Sequence, residues 1–487
     1  MTLADFTNFV APGIRVIELD QGYRILDLAS FNTVYMFGSA QDGEYSPTLV
    51  TSFNDFNNQF PASLSAPYVK NIFLNDPDLA LKFVRVGIAS KYLLTVLDAS
   101  PGTLSFNVLD ELIVVTIQAG ESLASVADTI QAAVNQNVNL SGSVVAYSTG
   151  NSDEVLLAST EFSIDIVVES PTPNLDVTED NATTPSRLDY VTAIQNIFSL
   201  QTNPVQGIVI APEAFATLLV QSDRRSVGLA LENLASTFDF YAVIDIGQNQ
   251  LKLSQILAEA ALYSSPKGHS EFFGNWVNDL NDQTMPASTW VAPLITLAIR
   301  TRGLKKSRAG TSLALKNAKS PQVDFNDTQI GVLTTARVNV FRVLENSGIV
   351  ASDIITLATN PNYAQHQGRI IMNVINGTIR GIPGVYAELF EPIDANEVYL
   401  MRLGDTLKSI LRRFWQSGSL FGADETDAFE VICDLRNNPL DQLNLGYVQA
   451  AIYAATTPNS RKILISLIKV PINQVQSVAA TGNLIEV

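Results

Sequence analysis

Two histidines, His269 and His366, and one cysteine, Cys433, supply all the imidazole and thiol in this chain. Neither histidine has a second ligand three or four residues away, so the spacing of a helix-borne zinc site is missing. A single cysteine excludes an intrachain disulfide. It ends the apolar run Phe429-Glu-Val-Ile-Cys433, where it reads as a small buried hydrophobe rather than a nucleophile. The loop from Ser264 to Ser270 contains Ser-Pro-Lys-Gly-His-Ser, which holds the residue types of a serine–histidine pair. Asp239, Asp245 and Asp282 have the chemistry of a carboxylate cluster for acid–base work. Loop polarity explains the first group better, and strand-end or turn roles explain the second. No Walker A, GxGxxG, GxSxG or HExxH pattern occurs. The reading is therefore of no catalytic residue, no cofactor and no metal.

The elements around these residues point to an α/β region. Gly207-Ile-Val-Ile-Ala211 is a continuous apolar strand with Pro212 opening a helix, and Phe238 to Asp245 is a second strand followed by a helix over Leu251 to Tyr263. Strands this apolar, separated by helices, predict a parallel sheet covered on both faces. Such a sheet has a ligand crevice at its strand ends, but nothing in the sequence supplies a phosphate cradle there. Thr33 to Ala40 predicts a buried strand. Ser52 predicts a helix N-cap with Asp55 at the third helical position, and Leu81 to Gly87 predicts the strand that closes this block.

From about Ala89 to Ser186 the pattern changes. Strand-like alternation in Tyr92–Leu97 and Leu112–Ile117 precedes a helix over Glu121–Val134, with Leu123, Val126, Ile130 and Val134 at helical spacing. Further strands are predicted at Ser143–Tyr147, Val155–Ala158 and Ser163–Val168, before a Pro-rich linker at Glu169–Asn174. This predicts a β-rich insertion with one helix.

Composition sets the outer bounds. At 487 residues the chain is too long for one ordinary core. Charged residues make up only 16%, which suits a surface largely covered by neighbours. The net charge of −18 argues against nucleic-acid binding. The longest apolar region, Trp290 to Ile299, is too short to span a bilayer. No basic-then-apolar leader pattern opens the sequence, so a soluble cytoplasmic product is expected.

Between Asn396 and Trp415, Leu403, Leu407, Ile410, Leu411 and Phe414 fall on one face of a helix at ~100° per residue. Arg402, Asp405, Lys408, Arg412 and Arg413 take the opposite face. This stripe reads either as a solvated charged back or as a basic surface for an acidic partner. A second basic group, Arg300, Arg302, Lys305, Lys306 and Arg308, lies in a Gly-flanked loop. It reads either as a contact between subunits or as a solvated loop.

From Glu388 onward the chain runs Glu-Leu-Phe-Glu-Pro-Ile-Asp, the charged-backed helix, Trp415-Gln-Ser-Gly-Ser-Leu-Phe-Gly422, and then Asp427-Ala-Phe-Glu-Val-Ile-Cys-Asp-Leu-Arg-Asn-Asn-Pro439. This order resembles the C-terminal signature of contractile tail sheath proteins of myophages, R-type bacteriocins and related injection systems. Pro12-Gly-Ile-Arg-Val16 is similar to that family's N-terminal arm. The resemblance covers roughly residues 11–88 and 280–470, and is strongest at the C-terminal end.

The resemblance implies an α+β multidomain chain. Its parts would be an N-terminal arm (1–25), an α/β sheath domain (26–88 plus 188–330), an inserted β-rich outer domain (89–187), an α+β C-terminal sheath core domain (331–470) and a C-terminal arm (471–487). It implies a homo-oligomer of stacked hexameric rings in a helical sheath around an inner tube protein. Baseplate and tail terminator proteins would be further partners, with no direct nucleic-acid or membrane contact, in a virion tail assembled in the host cytoplasm. Lys408, Arg412 and Arg413 would face the tube. Arm strands with Ile14, Val16 and Ile17 at one end, and Leu484, Ile485 and Val487 at the other, would add to sheets of neighbouring subunits. Arg302, Lys305, Lys306 and Arg308 would serve lateral contacts. An alternative is a secreted or surface-displayed binding protein using 89–187, which the missing leader pattern and lone cysteine oppose. A hydrolase in the α/β region lacks a nucleophile motif.

Overall fold

The computed structural model describes residues 31–465, except 89, 150, 161–163, 165, 171, 180–183, 199–203, 382–390, 395–396 and 464. The expected arm positions Ile14, Val16, Ile17, Leu484, Ile485 and Val487 therefore lie outside the described residues.

Seven strands form a central sheet: β1 (Thr33–Ser39), β2 (Thr48–Val50), β3 (Ala80–Val86), β4 (Gly207–Ile210), β5 (Tyr241–Asp245), β6 (Ser270–Phe273) and β7 (Val338–Asn339), in the order β7-β6-β5-β4-β1-β3-β2. All pairings are parallel except that of β2 with β3. Both faces are buried, which explains the continuous apolar runs. Along β1, Val34 and Met36 enter one core while Tyr35 and Phe37 enter the other, following the two-residue period of a strand. Tyr241 and Val243 of β5 likewise face the first core, and Ala242 and Ile244 the second.

Among the helices packed around the two cores of this sheet are α1 (Ala66–Asn75), α2 (Gln221–Phe238), α3 (Ser288–Arg302), α4 (His366–Gly381) and α5 (Val398–Gln416). The first core takes Val69 and Ile72 of α1, Trp290 and Val291 of α3, Ile370 and Val374 of α4, and Leu407, Ile410, Leu411 and Phe414 of α5. The second takes Val227, Leu231 and Ala235 of α2. Gly207 has a packing reason of its own: a Cβ there would sit 2.1 Å from the Thr33 carbonyl oxygen, so β4 approaches β1 this closely only without a side chain.

Several local expectations meet small corrections. Ser52 Oγ accepts from the Asp55 backbone N–H at 3.1 Å as expected, but the Asp55 carboxylate accepts from the backbone N–H of Thr51 rather than that of the cap residue. The run Phe238–Asp245 is not one strand. Phe238 ends α2, Asp239 turns left-handed with φ 58°, and the strand starts at Tyr241. The apolar run Ile463-Leu-Ile-Ser-Leu-Ile-Lys-Val470 reads as a strand in sequence, but 463 and 465 are irregular and its other residues lie outside the described residues.

Residues 91–179 hold a core of their own around a helix, Leu123–Gln136, whose Val126, Ile130 and Val134 are buried. One sheet contains Lys91–Val96, Val144–Ser148, Glu154–Ser159 and Leu175–Glu179, and the other contains Gly102–Val108, Glu111–Ile117 and Val168–Glu169. The Leu175–Glu179 strand was hidden behind the Pro-rich linker in the sequence. At the root of this unit Lys91 Nζ meets Asp189 at 2.6 Å, both fully buried.

Candidate assembly interface

The residues with catalytic potential are either buried or held in structural contacts. His269 is buried with Nδ1 3.5 Å from the Phe240 carbonyl oxygen, and burial together with the Arg369 guanidinium holds its pKa down to about 4. Ser265 Oγ accepts a bond from the backbone N–H of His269, not from its ring, so no serine–histidine pair exists. His366 is fully buried, its ring 6.1 Å from that of Tyr241, and burial drives its pKa well below the usual value. Its nitrogens have no hydrogen-bond partner among the described residues. Cys433 is buried, which raises its thiol pKa.

The three aspartates do not cluster. Asp239 pairs with Arg380 at 3.1 Å and accepts from the Asn376 amide. Asp245 accepts from the Ser288 backbone N–H at 2.8 Å at the start of α3, and burial pushes its pKa up to about 7. Asp282 pairs with Lys319 at 2.6 Å on the surface. At the C-terminal ends of β1 and β4, where doubly wound sheets hold ligands, the buried Glu213 fills the space. It accepts from the Ser39 backbone N–H at 3.0 Å, from the Tyr190 hydroxyl at 2.9 Å and from the Ser65 hydroxyl. Among the described residues no group of His, Cys, Asp or Glu is placed to hold a metal, and no helix is long and apolar enough to cross a membrane.

The charged back of α5 is present but largely paired within the chain. Arg412 makes two 2.8 Å bonds to Glu425, Lys408 lies 3.7 Å from Asp405, and Arg402 lies 3.9 Å from Glu391. Arg413 flanks the stripe, partly buried. Val398 and Met401, both about half exposed, add apolar surface near the start of the same face.

The 300–308 group divides. Arg300 pairs with Asp76 at 2.5 Å, while Arg302 and Lys305 are exposed and Lys306 is partly exposed. Arg308 is a correction: it is completely buried, 2.6 Å from Glu271, and its guanidinium lies 5.1 Å from the Phe273 ring centre. A loop arginine reads as surface in sequence, but this one points inward because Glu271 on β6 is itself buried and needs a counter-charge. It is not available for lateral contact.

The run after the Gly turn reads as a strand in sequence, and what sequence reasoning missed is its partner: Phe429–Ile432 pairs with Ala451–Ala454 in a small two-stranded sheet packed on α5. Each strand has one strand neighbour among the described residues. Beside it lies a groove of about 720 Å³ lined by Tyr363, Met372, Phe429, Ile452, Tyr453 and Thr456. The buried-exposed alternation Phe429, Glu430, Val431 was the available signal. Its partner strand, Ala-Ile-Tyr-Ala, carries too little pattern to stand out.

Comparison with solved structures places this architecture. A chain of the contracted sheath complex of PVC, an extracellular contractile injection system, superposes with a TM-score of 0.54 at 14% identity, over 95% of this chain and 98% of that one. A chain of the contracted helical sheath of the anti-feeding prophage gives 0.54 at 13% identity, over 94% and 99%. A chain of the contracted baseplate of the same prophage gives 0.57 at 14% identity, over 95% and 99%. The fold is that of contractile-system sheath chains. The likeness runs over nearly all of both chains and so includes the 91–179 unit. No protein-family model matches the sequence, and no curated protein does.

Proposed function

We propose that this chain is the structural subunit of a contractile sheath, a polymer of stacked hexameric rings around an inner tube that shortens to drive the tube through a cell envelope. The observation that carries this reading is the end-to-end likeness to chains from sheath assemblies.

In this reading residues 1–25 and 471–487 are arms, 26–88 with 188–330 the α/β sheath domain, 89–187 the outer insertion, and 331–470 the inner core domain. The arms, through Ile14, Val16, Ile17 and Leu484, Ile485, Val487, complete the sheet formed by Phe429–Ile432 and Ala451–Ala454 in neighbouring copies. Among the described residues each of its strands has one strand neighbour, and main-chain hydrogen bonds would form the link. Lys408, Arg412 and Arg413 face the tube, with Arg302, Lys305 and Lys306 at lateral contacts. Each exposed charge pair contributes ~0–1 kcal/mol, and repetition along the polymer makes the sum large. The extended polymer is a kinetically trapped state, and contraction is a rigid-body repacking that leaves the strand links intact. It works in a phage tail or extracellular injection assembly built in the producing cell.

Negative-stain microscopy of the purified chain tests this. Striated tubes are expected from the full chain. Removing residues 1–20 or 472–487 is expected to leave a folded, soluble protein without ordered tubes, and normal tubes from both truncations would refute the arm linkage.

A further inference from the structure

Most sheet edges among the described residues are protected. The central sheet ends in a three-residue strand, Thr48–Val50, and a two-residue one, Val338–Asn339. In the 91–179 unit, Leu175–Glu179 carries exposed Asp176 and Glu179. Val144–Ser148 is covered by the Asn135 amide, which donates to the Ala146 carbonyl at 3.0 Å and accepts from its N–H at 2.8 Å. Short length, charge and a capping side chain are the usual devices against unwanted pairing.

Glu111–Ile117 is less protected, with its one charge at its first residue. This seven-residue strand, Glu-Leu-Ile-Val-Val-Thr-Ile, pairs with Gly102–Val108 in unbroken register on one side and, among the described residues, has no strand on the other. It contains no proline and no charge after Glu111. Its outward residues Leu112 and Val114 are 58% and 53% exposed, although Ile113, Val115 and Ile117 satisfy the core beneath.

Charge selects what can pair there. Between Lys91 and Arg187 the sequence contains thirteen Asp and Glu residues and no Lys or Arg. The two bounding cations are engaged with Asp189 and Asp223. A second copy of this unit would therefore meet like charge with nothing to offset it, whereas a cationic segment would be attracted. We infer that the Glu111–Ile117 edge is a docking site for an extended segment of another protein, alternating apolar and polar and flanked by Lys or Arg, bound by strand addition. This stands apart from the sheath reading, since it concerns a different surface and needs no polymer.

The test uses the full chain and a fluorescent nine-residue peptide of alternating Val and Thr with a lysine at each end. A glutamate-ended version of the same peptide is the control. Anisotropy titrations at low salt are expected to show the lysine-ended peptide binding at least tenfold more tightly, with hydrogen exchange slowed at 111–117. Val114→Lys, which puts a charge on the open strand at an exposed position, is expected to weaken binding at least tenfold with an unchanged melting temperature. Val114→Pro, scored only if it melts normally, is expected to do the same. Equal affinity for the two peptides, protection elsewhere than 111–117, or unchanged binding by Val114→Lys would overturn the inference. So would protection of 111–117 that rises with protein concentration alone, because it would make a second copy the occupant.

Discussion

Replacing Arg308 by methionine tests the most consequential departure from the sequence reading. In sequence Arg308 belongs to a basic surface loop. In the structure its guanidinium is sealed against Glu271 at 2.6 Å, with neither side chain exposed. Burial pushes Glu271 up to about 7, while the Arg308 charge opposes that rise. The sign of the effect follows from linkage. A carboxyl whose folded pKa is raised contributes stability that is present below its unfolded value, near 4.5, and is lost as pH rises through its folded value, about 7. Without Arg308 the folded value rises further, so the variant keeps losing stability above pH 7, where the parent has levelled off. Below about pH 7 Glu271 is protonated in both proteins, and the difference reduces to one hydrogen bond and some packing, roughly 1–2 kcal/mol. Each further pH unit adds up to about 1.4 kcal/mol, reaching roughly 3–5 kcal/mol by pH 9, the range measured when a buried pair loses one partner. Urea denaturation followed by circular dichroism at pH 6, 7.5 and 9 reads this directly. Adding Glu271→Gln to the variant should flatten the pH dependence. A pH-independent loss under about 1 kcal/mol, as expected for a surface arginine, would refute the burial argument.

Three further outcomes follow from the same physics. Arg412→Gln breaks an exposed pair with Glu425 and should change unfolding free energy by no more than about 1 kcal/mol, so any loss of tube co-assembly in that variant reports contact rather than folding. Gly207→Ala places a methyl 2.1 Å from the Thr33 carbonyl oxygen, and the strand separation it forces should lower stability by about 1–3 kcal/mol in the same denaturation assay. His269, held to about 4 against an ordinary 6.5, stays neutral when folded while the unfolded chain takes up a proton below pH 6.5. Its own contribution to stability should therefore fall between pH 6.5 and 4 by at most about 3 kcal/mol, over the separate slopes of His366, Asp245 and Glu271, and the difference in stability between His269→Gln and the parent should change by that amount across this window.

What was legible in the sequence was whatever has a period. The continuous runs at Thr33, Gly207 and Phe238 announced a sheet buried on both faces, and it is parallel but for the β2 edge. The 3.6-residue spacing of Leu403, Leu407, Ile410, Leu411 and Phe414 announced a helix packed by one face; Leu407, Ile410, Leu411 and Phe414 all enter the first core. What was not legible depends on tertiary neighbours. Arg308 looks like any loop arginine until Glu271 is found buried beside it. Arg412 and Lys408 look like free cations until Glu425 and Asp405 are seen to face them. Leu175–Glu179 and Ala451–Ala454 are strands because other strands wait for them, not because five or four residues could form one alone.

The central claim is that copies of this chain are joined by strands passed from one to the next. Cryo-electron microscopy of the purified chain in polymeric form, at a resolution that traces residues 1–30 and 466–487, tests it most directly. The account predicts rings of six in which both segments lie as strands against the Phe429–Ile432 and Ala451–Ala454 sheet of adjacent copies. A polymer in which both segments pack only on their own copy, with that sheet still two-stranded, would contradict it.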